Sequence, residues 1–267
     1  MILGIDTSNY TTSAAVYDAD SNTAVNYKKP LPVKSGERGL RQSDAVFHHT
    51  VNLPEVIIPA LADMDIINAV GVSVRPRDVD GSYMPCFMVG YSHAKLLADT
   101  LNVPLIEVSH QQGHVAASLW SAGHMELMQE PHLAWHLSGG TTELLLVEPD
   151  GKNVVCTRIG GTTDISAGQL IDRTGQLLQL PFPSGKHLDL LSGDAVIRDV
   201  FKVKCSNMEF SLSGVQNKVQ QFHGKHGIPA ETAAYALRCV CYAVKQATKN
   251  AMARYPGLEV VLSGGVA

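Results

Sequence analysis

Two histidines, His110 and His114, stand four residues apart in Val108-Ser109-His110-Gln111-Gln112-Gly113-His114. On a helix that spacing sets both imidazoles on one face, about a turn apart. Neutral imidazole is the commonest metal ligand. The pair therefore predicts a metal site, which a third ligand and a water or substrate must complete. The same spacing also suits a helix start that carries two unrelated histidines. The segment is not the HExxH of a zinc protease, because Gln111 occupies the position of that motif's general base.

Small, hydroxyl-rich turns flank this pair along the chain. Asp6-Thr7-Ser8-Asn9-Tyr10-Thr11-Thr12 lies between two apolar runs, Ile2-Leu3-Gly4-Ile5 and Ala14-Ala15-Val16-Tyr17. Ser138-Gly139-Gly140-Thr141-Thr142 likewise joins Leu133–Leu137 to Glu143–Val147. Such hairpin turns offer backbone N–H and hydroxyl donors to a phosphate, and the glycines remove any Cβ from the approach. The recurrence suggests an internal duplication at the scale of a lobe. Asp172 can accept hydrogen bonds from ribose hydroxyls, or serve as a plain helix charge. Ser184-Gly185 can give a close backbone contact, or form an ordinary turn. Phe210-Ser211-Leu212-Ser213-Gly214 can cap a helix or touch phosphate. Ser263-Gly264-Gly265 is a third small turn after a strand. Asp6 is the one obvious carboxylate for a phosphoryl-transfer reading.

The elements that must position these residues follow an α/β alternation. Helical stretches are expected at 51–62, about 86–100, 166–179 and 231–254, with Pro181 and Pro183 closing the third. Strands are expected at 69–74, 104–108 and 258–262, besides the two hairpins. The stretch from about 181 to 230 reads as polar and loop-rich. Of the 267 residues, 45% are hydrophobic and 17% charged, a globular composition. No apolar run approaches the roughly 20 residues that cross a bilayer, and the N-terminus reads as a strand, so the expected location is the cytoplasm with no membrane contact. Five cysteines without a CxxC argue against a disulfide framework or a thiolate zinc site. A net charge of −4 leaves nucleic acid to a local patch. Between Lys28 and Arg41, five cations (Lys28, Lys29, Lys34, Arg38, Arg41) oppose Glu37, which suits such a patch or a solvated loop.

Taken in order, these segments resemble the tRNA threonylcarbamoyltransferase (TsaD) family, formerly called glycoprotease or peptidase family M22. The matching runs are Leu3-Gly4-Ile5-Asp6-Thr7-Ser8, His110-x-x-x-His114 and Ser138-Gly139-Gly140-Thr141-Thr142. They continue through Asp164-x-x-Ala167-Gly168-x-x-x-Asp172, Leu180-Pro181-Phe182-Pro183-Ser184-Gly185, Phe210-Ser211-x-Ser213-Gly214 and Ser263-Gly264-Gly265-Val266. The resemblance implies an actin/Hsp70-like (ASKHA) fold of two ribonuclease-H-like lobes. Those lobes are expected at 1–108 and 109–267, the second with a loop-rich helical insertion at about 160–230. It implies one divalent metal, iron or zinc, on His110 and His114. It also implies that Leu137, Ser138, Gly139, Gly140 and Thr141 cradle threonylcarbamoyl-AMP or ATP/ADP, with Asp172 and Gly185 at the adenosine. The reaction implied is metal-dependent transfer of threonylcarbamoyl to N6 of adenosine 37 in tRNA. A small paralogue and an ATPase are the implied protein partners.

The sequence departs from the family pattern at several points. Asn9-Tyr10 replaces an Asp-Glu in the first turn, and Arg75-Pro76-Arg77-Asp78-Val79-Asp80-Gly81 replaces a Gly-Pro-Gly loop. Ile165 and Gln169 replace acids of the segment around Asp164. The family's third metal ligand and a nucleotide-binding Asn follow the Ser-Gly-Gly-Val run, so an incomplete C-terminus is expected. These departures point to a divergent paralogue, and the alternative reading is a non-catalytic nucleotide-binding or scaffold protein.

Overall fold

A strand turns successive side chains to opposite faces. The N-terminal ribbon obeys this strictly. In the computed structural model, β1 (Ile2–Asp6) and β2 (Thr11–Asp18) pair antiparallel, with Leu3, Ile5, Ala14 and Val16 buried. The structure describes residues 1–8, 10–32, 40–62, 66–193, 195–197 and 200–267. Lys34, Glu37 and Arg38 of the expected basic loop fall outside the described residues. Of its other cations, Lys29 is ion-paired with Glu55 at 2.6 Å. The chain divides into two compact units, Met1–His114 and Val115–Ala267.

The first unit continues through β3 (Thr23–Pro30), α1 (Gln42–Ala62), β4 (Ala69–Arg75), α2 (Phe87–Leu101) and β5 (Leu105–Ser109). Its five strands run in the order β3-β2-β1-β4-β5, with β1, β4 and β5 mutually parallel. Leu53, Val56 and Ile57 of α1 and Val89, Ala94 and Ala98 of α2 close the core over Leu3, Ile5, Val70 and Val72. Helix α1 begins nine residues before the expected Val51. Its buried face there is Ala45, His49 and Asn52. Polar residues occupy two of these slots, which hides the 3.6-residue period. Strand β3 was not expected either. It is exposed along nearly its whole length, so it carries no apolar alternation.

The helix α3 (His110–Ala122) follows β5, and after it come a short 3-10 turn and β6 (His132–Leu137). The second unit then contains β7 (Thr142–Asp150), β8 (Asn153–Thr162), α4 (Ala167–Leu177) and α5 (Gly185–Ser192). The remaining elements are β9 (Cys205–Ser206), β10 (Glu209–Phe210), α6 (Ser213–His226), α7 (Pro229–Arg254) and β11 (Val260–Ser263). Its six strands run β11-β6-β7-β8-β10-β9. Strand β6 pairs antiparallel with β7 and parallel with β11. In the first unit β1 has the same relation to β2 and β4, so the duplication read from the two hairpins is present in the topology.

One core of the second unit sets Leu133, Trp135, Leu144 and Phe210 against an alanine-rich stripe of α7, Ala236, Ala243, Ala247 and Ala251. A separate cluster joins Val115 and Leu119 of α3 to Ala134, Leu145, Val147 and Val154. The stretch read as loop-rich, 181–230, also holds α5, α6 and the β9–β10 hairpin. These elements are short and bury few residues each, Leu188 in α5 and Val215 and Val219 in α6, so no long periodic run marks them. No helix among the described residues is long and apolar enough to cross a membrane.

Candidate functional site

Helix α3 starts on a capping box written Ser109-His110-Gln111-Gln112. The Gln112 side-chain oxygen accepts the Ser109 N–H at 2.7 Å, and the Gln112 N–H donates to the Ser109 hydroxyl at 3.2 Å. The Gln112 amide also donates to Asp78 at 3.1 Å. This lock fixes His110 in the first turn, with His114 one turn on. The two Nε2 atoms converge to 3.0 Å, with the rings edge to face.

Asp6, at the end of β1, meets His110 Nδ1 at 2.8 Å. Burial pushes the Asp6 carboxyl up, but hydrogen bonds from His110, Ser73 and Ser8 and the charge of His110 outweigh it and hold the group well below the usual carboxylate range. An ionised carboxylate only accepts. In the neutral imidazole, the form that binds a metal, this bond places the His110 proton on Nδ1 and leaves the Nε2 lone pair facing His114. That is the carboxylate–histidine orientation found behind metal ligands. Two imidazole nitrogens bound at about 2.0–2.1 Å to one tetrahedral ion stand roughly 3.4 Å apart, so the pair needs little adjustment to share one. Among the described residues no group of three His, Cys, Asp or Glu side chains is arranged to hold a metal.

Two hydroxyls of the first hairpin turn, those of Thr7 and Thr12, are turned inward. Thr7 donates to the Cys86 carbonyl at 2.9 Å and accepts from the Gly90 N–H at 3.0 Å. Thr12 is buried and bonded to His49 at 2.8 Å. A phosphate would find few free donors on either residue.

In the second unit the turn after β6 is built differently. Ser138 N–H donates to the Thr141 carbonyl at 2.8 Å, and its hydroxyl accepts the Thr141 N–H at 3.0 Å. Gly139 and Gly140 between them are exposed, and a Cβ on either would meet nothing within 4 Å. Behind this open side the turn is held tightly. The Ser166 hydroxyl donates to the Gly139 carbonyl at 2.6 Å, and Thr142 accepts the Ala167 N–H at 2.8 Å. A second capping box, Ser166 with Gln169, starts α4 there. A side chain on Gly168 would strike the Ser138–Gly139 backbone, and one on Gly264 (φ +99) would strike Leu137. The Ser263-Gly264-Gly265 turn thus packs on Leu137, with Val266 N–H on its carbonyl at 3.1 Å.

Asp172 lies one turn along α4 from Gly168. It accepts the Ser184 N–H at 2.8 Å, at the start of α5, and so stands beside Gly185. Gly175 lies against the Ser184 side chain with no room for a methyl group. The structure therefore brings Leu137–Thr141, Asp172 and Gly185 together in one corner of the second unit. His110 and His114 come together with Asp6 in the first.

Sequence reading missed two functional-looking carboxylate arrangements. Asp6 is 104 residues from its histidine and gives no local signal. Asp164 accepts from the Ser211 and Ser213 hydroxyls at 2.5 and 2.6 Å and from the Leu212 N–H at 2.8 Å. Burial raises its pKa, but these bonds hold it well below the ordinary range. The serines before α6 thus face a carboxylate, as part of the helix cap. The two S-x-x-Q boxes were legible as helix starts and would have placed both α3 and α4.

A model of the tRNA N6-adenosine threonylcarbamoyltransferase family matches residues 33–267. A protein of that name from Streptococcus suis (strain 05ZYH33) is 31% identical over 284 residues, covering all of this chain and 80% of the relative. Another from Lacticaseibacillus casei (strain BL23) is 30% identical, covering all of this chain and 79% of the relative. Among solved structures, HypF of T. kodakarensis superposes with a TM-score of 0.59 at 13% identity, over 100% of this chain and 42% of that one. The activator of 2-hydroxyisocaproyl-CoA dehydratase from Clostridium difficile gives 0.50 at 12% identity, over 99% and 79%. The Lmo2764 protein of Listeria monocytogenes gives 0.50 at 10% identity, over 99% and 83%. At these identities the likenesses carry the fold alone, which is the actin/Hsp70-like (ASKHA) fold.

Proposed function

The chain belongs to the tRNA N6-adenosine threonylcarbamoyltransferase family, and from that membership we propose that it transfers the threonylcarbamoyl group of threonylcarbamoyl-AMP to N6 of adenosine 37 in tRNA. The observation that carries this reading is the Asp6–His110–His114 arrangement, with its paired Nε2 atoms. His110 and His114 would hold iron or zinc, and the bound ion would supply Lewis-acid polarisation of an acyl oxygen. Asp6 keeps His110 in the required tautomer. The Gly139 and Gly140 amides and the Ser138 hydroxyl suit the phosphate of the adenylate. Asp172 uses one oxygen on Ser184, and a carboxylate has further lone pairs for ribose hydroxyls. Gly185 presents backbone without a Cβ to the same nucleoside. In the transfer, N6 bonds to the carbamoyl carbon, the carbon–oxygen bond to AMP breaks, and N6 loses a proton.

The test is incubation with threonylcarbamoyl-AMP and unmodified tRNA transcript, with the partner proteins present, followed by nucleoside mass spectrometry. N6-threonylcarbamoyladenosine should form with the wild-type chain and not with His110→Ala or His114→Ala. Absence of product from the wild type would sink the reading. A small paralogue as partner is supported by α1. Its exposed residues Phe47, Val51, Pro54 and Ile58 follow 4-3-4 spacing, an apolar stripe that suits another helix. Phe47→Glu with Ile58→Glu should abolish co-purification with such a partner.

The second reading is a non-catalytic nucleotide-binding or scaffold member of the family. It is favoured by the lack of a three-residue ligand group among the described residues. Metal content discriminates the two: stoichiometric, tightly held iron or zinc would argue against it.

A further inference from the structure

Charge is distributed unevenly along this chain. Residues 200–254 hold six lysines, Arg238 and Arg254 against only Glu209 and Glu231, a net of +6 in a chain whose total is −4. The rest of the molecule is therefore at −10, and a small part of the surface is oppositely charged to the remainder.

The fold brings several of these cations near one another in the second unit. Lys202 and Lys204 alternate with the buried Val203, so both are directed outward. The Asn250 amide reaches Cys205 Sγ at 3.7 Å and also bonds the Asn207 carbonyl, which brings the segment after Lys204 against the turn of α7 that carries Lys249. Lys218 of α6 stands over the Phe201 ring at 5.8 Å, next to Lys202. On α7, Arg238, Lys245 and Lys249 are exposed and spaced by seven and four residues. At 3.6 residues per turn they share one stripe about 16 Å long. Among the described residues, no carboxylate is ion-paired with Lys202, Lys204, Lys218, Lys245 or Lys249. Glu209, five residues after Lys204, is bonded to Arg158 at 3.0 Å.

Unpaired cations fixed at intervals on a helix and an adjoining extended segment suit a polyanion whose charges are also regularly spaced. An anionic membrane would call for large apolar side chains among the lysines. The one exposed large apolar residue on this part of α7 is Met252. We infer that the surface formed by Lys202, Lys204, Lys218, Lys245 and Lys249 docks the phosphate backbone of the tRNA substrate, away from the modified base. The identity of the polyanion rests on the transferase reading above, while the docking surface itself rests on charge and geometry.

The experiment measures binding of a fluorescent, unmodified tRNA transcript to the full chain between about 50 and 200 mM salt. Lys202→Glu, Lys204→Glu, Lys245→Glu and Lys249→Glu together should weaken binding at least about tenfold. The slope of log affinity against log salt should become shallower by roughly three, because each lost phosphate contact removes about 0.7–0.9. Lys245→Glu alone should reduce affinity by a smaller factor, which keeps the test open if the fourfold variant fails to fold. Lys95→Glu, at a lysine already paired with Asp99, serves as the control and should bind as wild type. Wild-type affinity and slope in both patch variants would overturn the inference, as would a wild-type chain that binds no tRNA at the lowest salt. Lysine-dependent binding to phosphatidylserine vesicles in place of tRNA would overturn it too. If tRNA binding depends on the patch but no threonylcarbamoyl transfer occurs, the docking surface stands and the transferase reading fails. If transfer does occur, the patch variants should raise KM for tRNA and leave kcat unchanged.

Discussion

Asp6 decides what His110 can offer. Its Oδ1 accepts the Ser8 N–H at 2.8 Å, while Oδ2 faces His110 Nδ1. In Asp6→Asn the Ser8 bond would keep the amide oxygen at the Oδ1 position and turn the NH2 toward Nδ1. His110 must then accept there and carry its proton on Nε2, where a metal lone pair is needed. The expected result is a 10–100-fold loss of metal affinity, read by competition with a chromophoric chelator. Unchanged affinity would remove Asp6 from the argument. The glycines give a second residue-scale prediction by contrast. Gly139→Ala meets nothing in the protein, so its melting temperature should hold while adenylate or nucleotide affinity falls at least severalfold. Gly175→Ala drives a methyl into Ser184 and should destabilise the fold by about 1–3 kcal/mol, measured by urea unfolding. If Gly139→Ala binds nucleotide as wild type does, the turn is not the cradle.

Elements were legible in proportion to how regularly they are buried. The β1–β2 hairpin alternates cleanly, and β6 is a nearly continuous buried run before its small-residue turn; both hairpins were read from sequence, as were β4, α2 and α7 to within a few residues. Strand β3 is exposed, α1 hides His49 and Asn52 in its buried face, and α6 buries only Val215 and Val219 within its 14 residues. In such elements the tertiary neighbours, not the local pattern, supply the stabilisation. Helix α6 shows this well, because its first turn is capped from outside. The carboxylate of Asp164, about fifty residues earlier, receives the Leu212 and Ser213 N–H groups. Its folded pKa is depressed, so the unfolded chain takes up the proton first as pH falls. The stability it contributes is full above the unfolded value of about 3.9 and is lost progressively below it. Asp164→Asn should therefore cost roughly 1 kcal/mol at pH 7, the range of an exposed helix cap. The difference from wild type should shrink below about pH 4. Urea midpoints at pH 7 and pH 3 check this, and a difference that grows in acid would show the sign to be wrong.

At the scale of the whole molecule, the order of small-residue turns carried the fold, because in each unit such a turn follows the strand that pairs antiparallel with one neighbour and parallel with the other. What sequence could not supply is how the core holds such a turn still. Trp135 in β6 is fully buried and donates to the Thr248 hydroxyl on α7 at 2.9 Å. Its carbonyl accepts the Ser263 hydroxyl at 2.8 Å, and two residues later Leu137 supports Gly264 and Val266. One residue thus joins the helical layer, the β11 turn and the strand that feeds Ser138. Trp135→Ala should open a cavity costing about 3–5 kcal/mol, and nucleotide binding should fall with it because the strand loses its anchor. Trp135→Phe keeps most of the packing and loses one hydrogen bond. Thr248 retains its own bond to the Val244 carbonyl at 2.8 Å, so no buried hydroxyl is orphaned. That variant should lose only about 1–2 kcal/mol and bind nucleotide normally. Urea unfolding with parallel nucleotide titration separates the cases. If Trp135→Phe loses nucleotide affinity while remaining folded, the turn depends on the indole itself rather than on the packed sheet behind it.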